Sequence, residues 1–236
     1  MAKYNEFDKI KVKVIKENYQ NLQKIKTGKA LGLSFYIDKE NDLIATFSGK
    51  VCSSACNFGG ITRENYNIIL EKLSKEYKII ISPLNFLNST VFAFDVKKDI
   101  ILDSPSSLYI SAIRESSRLS TNKVIQIDFL NNLGFEESLL IKSSNKTTRN
   151  SLLIYSKLTE IYAHRRKHQE YFNQLDTEFL EQNKYTIRLE RRLASFKDMR
   201  KALNITESRP VTVKDVLFSR VDLVQEKFNQ LIQKGE

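Results

Sequence analysis

The stretch Leu33-Ser-Phe-Tyr-Ile-Asp38, Lys39-Glu-Asn-Asp42, Leu43-Ile-Ala-Thr-Phe-Ser48 decides the fold class. Two runs rich in aromatic and β-branched residues flank a polar tetrapeptide. That pattern predicts two antiparallel strands and a tight turn. On its C-terminal side, Ser48-Gly-Lys-Val-Cys-Ser-Ser-Ala-Cys-Asn-Phe-Gly-Gly60 reads as a loop or irregular strand. Ile61-Thr62 then opens a helix. Thr62 can cap its first turn, Ile61 and Tyr66 occupy the staple positions, and Tyr66, Ile69, Leu70, Leu73 and Tyr77 form one apolar stripe. The helix is expected to run to about Tyr77. On the N-terminal side, Ile10, Val12 and Val14 alternate as in a strand, and Leu22 with Ile25 suit a short helix.

Further along, Lys78–Ile81 and Val91–Leu102 read as strands. Asp103-Ser-Pro-Ser106 announces a helix over roughly 105–117, with Pro105 suited to its first turn. Lys123–Phe129, Glu137–Lys142 and Ser151–Ser156 read as strands, Lys157–Glu181 as a long helix and Tyr185–Leu193 as a strand, with one or two helices to the end. Strand pairs alternating with single helices predict an α+β protein, a mainly antiparallel sheet flanked by helices. The expected organisation is a basic lead-in over 1–29, an α+β domain over 30–216 with similar halves near 30–120 and 121–216, and a C-terminal helix over 217–236.

Composition limits the function classes. Seven Gly and three Pro in 236 residues exclude a collagen-like or linker-like chain. No run reaches the ~20 apolar residues of a membrane helix. The charge-mixed start lacks the apolar block of a signal peptide, so a cytoplasmic location is expected, with no membrane partner. The two cysteines, Cys52 and Cys56, are too few for a zinc site. The decisive feature is charge: 38 Lys and Arg against 28 Asp and Glu leave +10. Cations displace counterions from nucleic-acid phosphates, so a basic chain of this kind suits nucleic acid, with anionic membranes and acidic partners as the other classes. Two segments carry the excess: 8 Lys against 3 acids from Lys3 to Lys29, and 14 Lys and Arg against 7 acids from Lys142 to Lys201.

There is no phosphate-binding Gly loop, nucleophile elbow or dinucleotide fingerprint. Three stretches carry candidate chemistry instead. In Val91-Phe-Ala-Phe-Asp-Val-Lys-Lys-Asp99, Asp95 interrupts an apolar strand, and a carboxylate there must face water, a cation or a metal. Alternation sets Val91, Ala93 and Asp95 against Phe92, Phe94 and Val96. In Leu152-Leu-Ile-Tyr-Ser-Lys-Leu-Thr-Glu160, a strand delivers Tyr155 and Lys157 and turns into a helix with Glu160. In Tyr185-Thr-Ile-Arg-Leu-Glu-Arg-Arg-Leu193, Arg188 and Glu190 alternate with Ile187 and Leu189. Repeated Arg on an exposed sheet face suits phosphate, because a guanidinium bonds two oxygens at once; an Arg–Glu ladder on a wet face is the plainer reading. His164 and His168, four apart, have metal-binding spacing, but three cations lie between them and a basic or solvated face fits better.

In this order, Phe94-Asp-Val96, Ile154-Tyr-Ser-Lys-Leu-Thr-Glu160 and Ile187-Arg-Leu-Glu-Arg-Arg-Leu193 resemble rolling-circle replication initiators. The likeness is to the gene-two type endonucleases of filamentous phages and the staphylococcal-type plasmid initiators, over about residues 40–216. The resemblance implies binding of origin DNA, single- or double-stranded, and nicking of one strand to start rolling-circle replication. A Tyr hydroxyl attacks a phosphate polarised by Mg²⁺ or Mn²⁺, leaving a phosphotyrosine link and a free 3′-OH. It implies Tyr155 and Lys157 as catalytic residues and Asp95, Glu160 and Glu190 as metal carboxylates. Lys142, Arg149, Arg165, Arg166, Arg188, Arg191 and Arg192 become the DNA contacts, and a homodimer is compatible with the class. In the plasmid type a Tyr stands on the preceding strand, which here reads Ser138-Leu-Leu-Ile-Lys-Ser-Ser144. The nucleophile is then Tyr155, Tyr162 or Tyr171, or the chain is a non-catalytic replication accessory protein on the same fold. A basic protein-interaction module is the third reading.

Overall fold

The computed structural model describes residues 5–52, 58–118, 123–126, 137–143, 151–163 and 176–232. In chain order the first half contains β1 (Glu6–Val14), β2 (Tyr19–Asn21), β3 (Thr27–Ala30), β4 (Leu33–Ile37), β5 (Leu43–Ser48), α1 (Asn67–Tyr77), β6 (Ile79–Ile81), α2 (Pro83–Leu87), β7 (Thr90–Ile101) and α3 (Ser106–Arg118). The second half contains β8 (Lys123–Gln126), β9 (Ser138–Ser143), β10 (Ser151–Ser156), α4 (Lys157–Ala163), α5 (Thr177–Gln182), β11 (Thr186–Leu193), α6 (Phe196–Ala202), α7 (Val213–Leu217) and α8 (Leu223–Ile232). The class is α+β, and every strand pair whose register is described is antiparallel. Two compact units form: Met1–Val96 with Leu193–Asp222, and Lys97–Arg192 with Leu223–Glu236.

In the first unit the sheet runs β3-β4-β5-β1-β7, and β2 pairs with β6 separately. The β4–β5 hairpin forms where the sequence predicts it, from Leu33↔Phe47 to Ile37↔Leu43. Its turn closes because Asp38 Oδ1 accepts from the Glu40 amide at 3.0 Å and the Asp42 amide at 2.9 Å, with Asn41 at φ 65°. Residues 6–14 of the basic lead-in form a central strand, with Ile10, Val12 and Val14 buried as their alternation predicts. The short helix expected at Leu22–Ile25 does not form. Asn21 instead donates to the Ile25 carbonyl at 2.7 Å and accepts its amide at 3.1 Å, and Lys24 turns at φ 52°. Such side-chain bonds compete with the helix ladder.

Helix α1 starts at Asn67, with Tyr66 rather than Thr62 at its N-cap. Asn65 accepts from the Thr62 amide and donates to the Gly60 carbonyl, each at 2.8 Å, and pins the segment as a turn. Ile61 leaves the cap and exchanges backbone bonds with Phe7 at 2.8 and 2.9 Å. The apolar stripe still works: Tyr66, Ile69, Leu70 and Leu73 are buried. Tyr77 meets Phe35 edge-on at 4.9 Å, while Phe86 of α2 meets Phe47 and stacks on Tyr66, each at 5.9 Å. Gly28 lies opposite Phe35, and a Cβ there would run into the Phe35 and Tyr77 rings. Gly28→Ala is therefore expected to cost about 1–3 kcal/mol, the usual penalty of overpacking. Urea unfolding followed by circular dichroism measures it.

Burial along β7 departs from simple alternation. Val91, Phe94, Val96 and Lys97 are buried, while Phe92 is half-buried and meets Phe196 at 5.8 Å. Past α6 the chain returns to β7: the Val91 amide donates to the Val211 carbonyl at 2.8 Å. Helix α7 opens with a capping box. Thr212 Oγ1 accepts the Asp215 amide at 3.2 Å and Asp215 accepts the Thr212 amide at 2.9 Å. Arg209 then clamps Asp215 at 2.6 and 2.8 Å. Thr212→Ala removes the cap and is expected to cost about 1–2 kcal/mol in the same unfolding assay.

In the second unit the sheet runs β7-β11-β10-β9-β8. One face is apolar, with Leu139, Ile141, Leu152, Ile154, Ile187 and Leu189 buried. Helices α3 and α8 pack on β10 and on each other. Tyr155 and Leu189 stand on the paired strands β10 and β11.

Candidate nucleic-acid site

The other face of the second unit's sheet is polar, and register says which residues share it. Tyr155 pairs with Arg188 on one side and Ser138 on the other; Leu153 pairs with Glu190 and Leu140; Ser151 pairs with Arg192 and Lys142. Directly paired residues point to the same side. One face therefore carries Tyr155, Arg188, Glu190, Arg192, Ser151 and Lys142.

The Tyr155 hydroxyl donates to Glu190 Oε2 at 3.1 Å, a buried contact. The other oxygen of Glu190 accepts from Arg192 Nε and Nη2, each at 3.2 Å. Arg188, expected on a wet face, is 1% exposed. Its Nε and Nη2 bond the two oxygens of Asp99 at 2.6 and 2.7 Å, and Lys97 Nζ reaches the same carboxylate at 2.9 Å. A buried guanidinium needs such a matched acceptor. Burial works to raise the Asp99 pKa, but hydrogen bonds and charges from Arg188 and Lys97 outweigh it and hold the carboxyl below the ordinary range.

Strand β10 passes directly into α4. Lys157, the first helical residue, is buried, pairs with Glu160 at 2.7 Å and lies 5.8 Å from the Tyr155 ring centroid. Ser156 Oγ accepts the Thr159 amide at 3.3 Å, and Thr159 donates to Glu137 at 3.1 Å. Arg191 points to the opposite, apolar face, where it donates to the Leu223 carbonyl at 2.7 Å and to Glu226 at 3.0 Å. It ties α8 to the sheet.

The site residues named from sequence thus divide. Tyr155, Glu190, Arg188 and Arg192 meet on one face, with Lys142 one strand beyond Ser151 and Lys157–Glu160 at the end of β10. Asp95 belongs to the first unit. Arg149, Arg165, Arg166, Tyr171, His164, His168 and Cys56 lie outside the described residues. Asp99 and Lys97 are the members that sequence reasoning passed over. The available signal was that Asp99 is a second acid on the same strand, two residues beyond Lys97 and so on the same side of an alternating strand.

Among the described residues, no three His, Cys, Asp or Glu side chains converge to hold an ion. The site's acids face cations of the chain instead: Asp99 faces Arg188 and Lys97, Glu160 faces Lys157, and Glu190 faces Arg192. The donors as arranged do not fit a Mg²⁺ or Mn²⁺ centre of three carboxylates. At Cys52, burial pushes the thiol up to about 11, with Lys72 opposing, so it stays protonated near neutral pH.

The polar face lies within the span matched by a family model. The model, for the N-terminal part of the phage gene-two replication-associated protein, matches residues 62–222. The chain belongs to this family. The match includes all three stretches that carried the sequence resemblance and begins after the β4–β5 hairpin. The chain is also similar in structure to a rolling circle replication initiator protein from Geobacillus stearothermophilus. The identity is 11%, the likeness covers 98% of this chain and 97% of that one, and the TM-score is 0.43. No curated protein matches the sequence. Among the described residues, no helix is long and apolar enough to cross a membrane.

Proposed function

We propose that this protein binds DNA and nicks one strand to start rolling-circle replication, with Tyr155 as the nucleophile. The observation that carries the reading is the hydrogen bond from the Tyr155 hydroxyl to Glu190 Oε2 at 3.1 Å. A phenol is a weak nucleophile until a neighbouring base draws off its proton. Glu190 takes that proton as the phenolic oxygen attacks phosphorus. The P–O3′ bond breaks, the 3′ oxygen takes a proton from solvent, and the 5′ phosphate stays on Tyr155. Arg192, half-exposed beside Glu190, and Lys142 hold phosphate oxygens. Arg188, Arg191 and Lys157, paired within the chain, set the positions of Asp99, α8 and Glu160.

Supercoiled plasmid carrying the origin is incubated with the protein and either Mn²⁺ or EDTA. The expected product is a nicked circle with protein on its 5′ end. Tyr155→Phe is expected to lose the adduct. An adduct of wild-type strength in that variant would move the nucleophile to Tyr162 or Tyr171. Salt-dependent binding without any nick by the wild type would leave the non-catalytic accessory reading, which the burial of Tyr155, 9% exposed, favours.

A further inference from the structure

The first unit carries a second polar sheet face, which the chemistry above does not use. Register across four strands places Lys11 opposite Thr46, Thr46 opposite Ser34 and Ser34 opposite Lys29. One row therefore reads Lys-Thr-Ser-Lys, from β1 through β5 and β4 to β3. The next row reads Lys13, Ile44, Tyr36 and Thr27, and Lys9 faces Ser48 on the other side. The opposite face buries Ile10, Val12, Ala45, Phe47, Leu33 and Phe35, so the polar residues are turned outward. Tyr36 is 48% exposed, although an aromatic residue on a β-sheet would ordinarily seek cover.

Charge on this face is segregated. Lys13 is neutralised by Asp42 at 2.7 Å and Asp38 at 3.5 Å, at the hairpin end. Lys9, Lys11 and Lys29 form no ion pair among the described residues. Four strands at about 4.8 Å spacing set Lys11 and Lys29 about 14 Å apart, far enough for the two cations to meet different phosphates of one strand. Between them stand two hydroxyls able to donate to phosphate oxygens, and beside them an open aromatic ring on which a base can stack.

We infer that this face of β3-β4-β5-β1 is a binding surface for single-stranded DNA. Lys9, Lys11 and Lys29 contact phosphates, Thr46 and Ser34 donate hydrogen bonds between them, and Tyr36 stacks a base. The inference rests on the DNA-binding part of the proposed function and is independent of where nicking occurs.

The test measures binding of the full chain to a fluorescein-labelled single-stranded oligonucleotide of mixed sequence at several salt concentrations. Each phosphate contact contributes about 0.7 to the log–log salt slope for a single strand. The double variant Lys11→Gln, Lys29→Gln is expected to lose about 1.4 of that slope. Tyr36→Ala is expected to weaken binding about tenfold, through the loss of one stacked base. Lys197→Gln, on the exposed side of α6, should leave the slope unchanged. All three are surface changes, and matching circular dichroism spectra check the fold. A wild-type slope and affinity in both the Lys double variant and Tyr36→Ala would overturn the surface while leaving DNA binding intact. A wild type that binds no oligonucleotide, including one that adheres only to phosphatidylserine vesicles, would overturn the DNA reading itself.

Discussion

Glu190→Gln is expected to lower the nicking rate by about 10²- to 10⁴-fold, the range that a positioned general base ordinarily contributes. The amide still fills the space of the carboxylate and can still accept from Tyr155, so packing is nearly conserved. It can no longer carry away the phenolic proton. Binding of origin DNA should remain within a fewfold of wild type, because Arg192 is half-exposed and Lys142 stands on a different strand. The two readouts separate a base from a structural partner. If Glu190 only positioned Tyr155, the Gln variant would keep most of its rate. Single-turnover nicking at a range of pH values, with binding measured in parallel, checks it. A rate within tenfold of wild type would remove Glu190 from the chemistry.

Asp99→Ala is expected to be the most destabilising single change in the second unit. Arg188 is 1% exposed and Lys97 3% exposed, and both direct their charge at this carboxylate. Removing it strands two buried cations, and breaking a buried pair ordinarily costs about 3–5 kcal/mol. For a chain of this size that is a fall of roughly 10 °C in Tm. The triple variant Lys97→Met, Asp99→Leu, Arg188→Met should recover much of the loss, because it leaves no charge behind. The pair also predicts a pH dependence. The Asp99 carboxyl is depressed in the folded state despite its burial, so its contribution is complete above about pH 4, the ordinary value for a free Asp. It is lost as pH falls through the lower, folded value. Thermal unfolding between neutral and acid pH should show wild type losing its advantage over Asp99→Asn only on the acid side of about pH 4. A gap that stayed constant far into the acid range would contradict the assignment.

Some features were legible in the chain because the interactions that specify them are local. The β4–β5 hairpin needs Asp38 to reach amides two and four residues away, and the polar tetrapeptide announces this. The strands at Val91–Leu102 and Ser151–Ser156 declare themselves by apolar content, and the structure places them at Thr90–Ile101 and Ser151–Ser156. The order of the three charged stretches was enough to suggest the replication family. The misread ends have local causes too, but of a kind that composition hides. Asn65 and Asn21 bond their own backbone and stop helices that the apolar pattern favours.

The arrangement of the site was decided by tertiary structure. Arg188 and Asp99 are 89 residues apart, and nothing in either segment says that one will bury the other. Alternation separates Arg188 from Arg191 correctly, yet both become buried, one under a carboxylate from β7 and the other under α8. The sequence by itself determined the α+β class, the main strands and that the chain is basic. Which charges stay open to a phosphate, and which are spent inside the protein, depends on strand register and helix docking. Those are contacts between residues far apart in the chain, settled only when the sheets close on their cores.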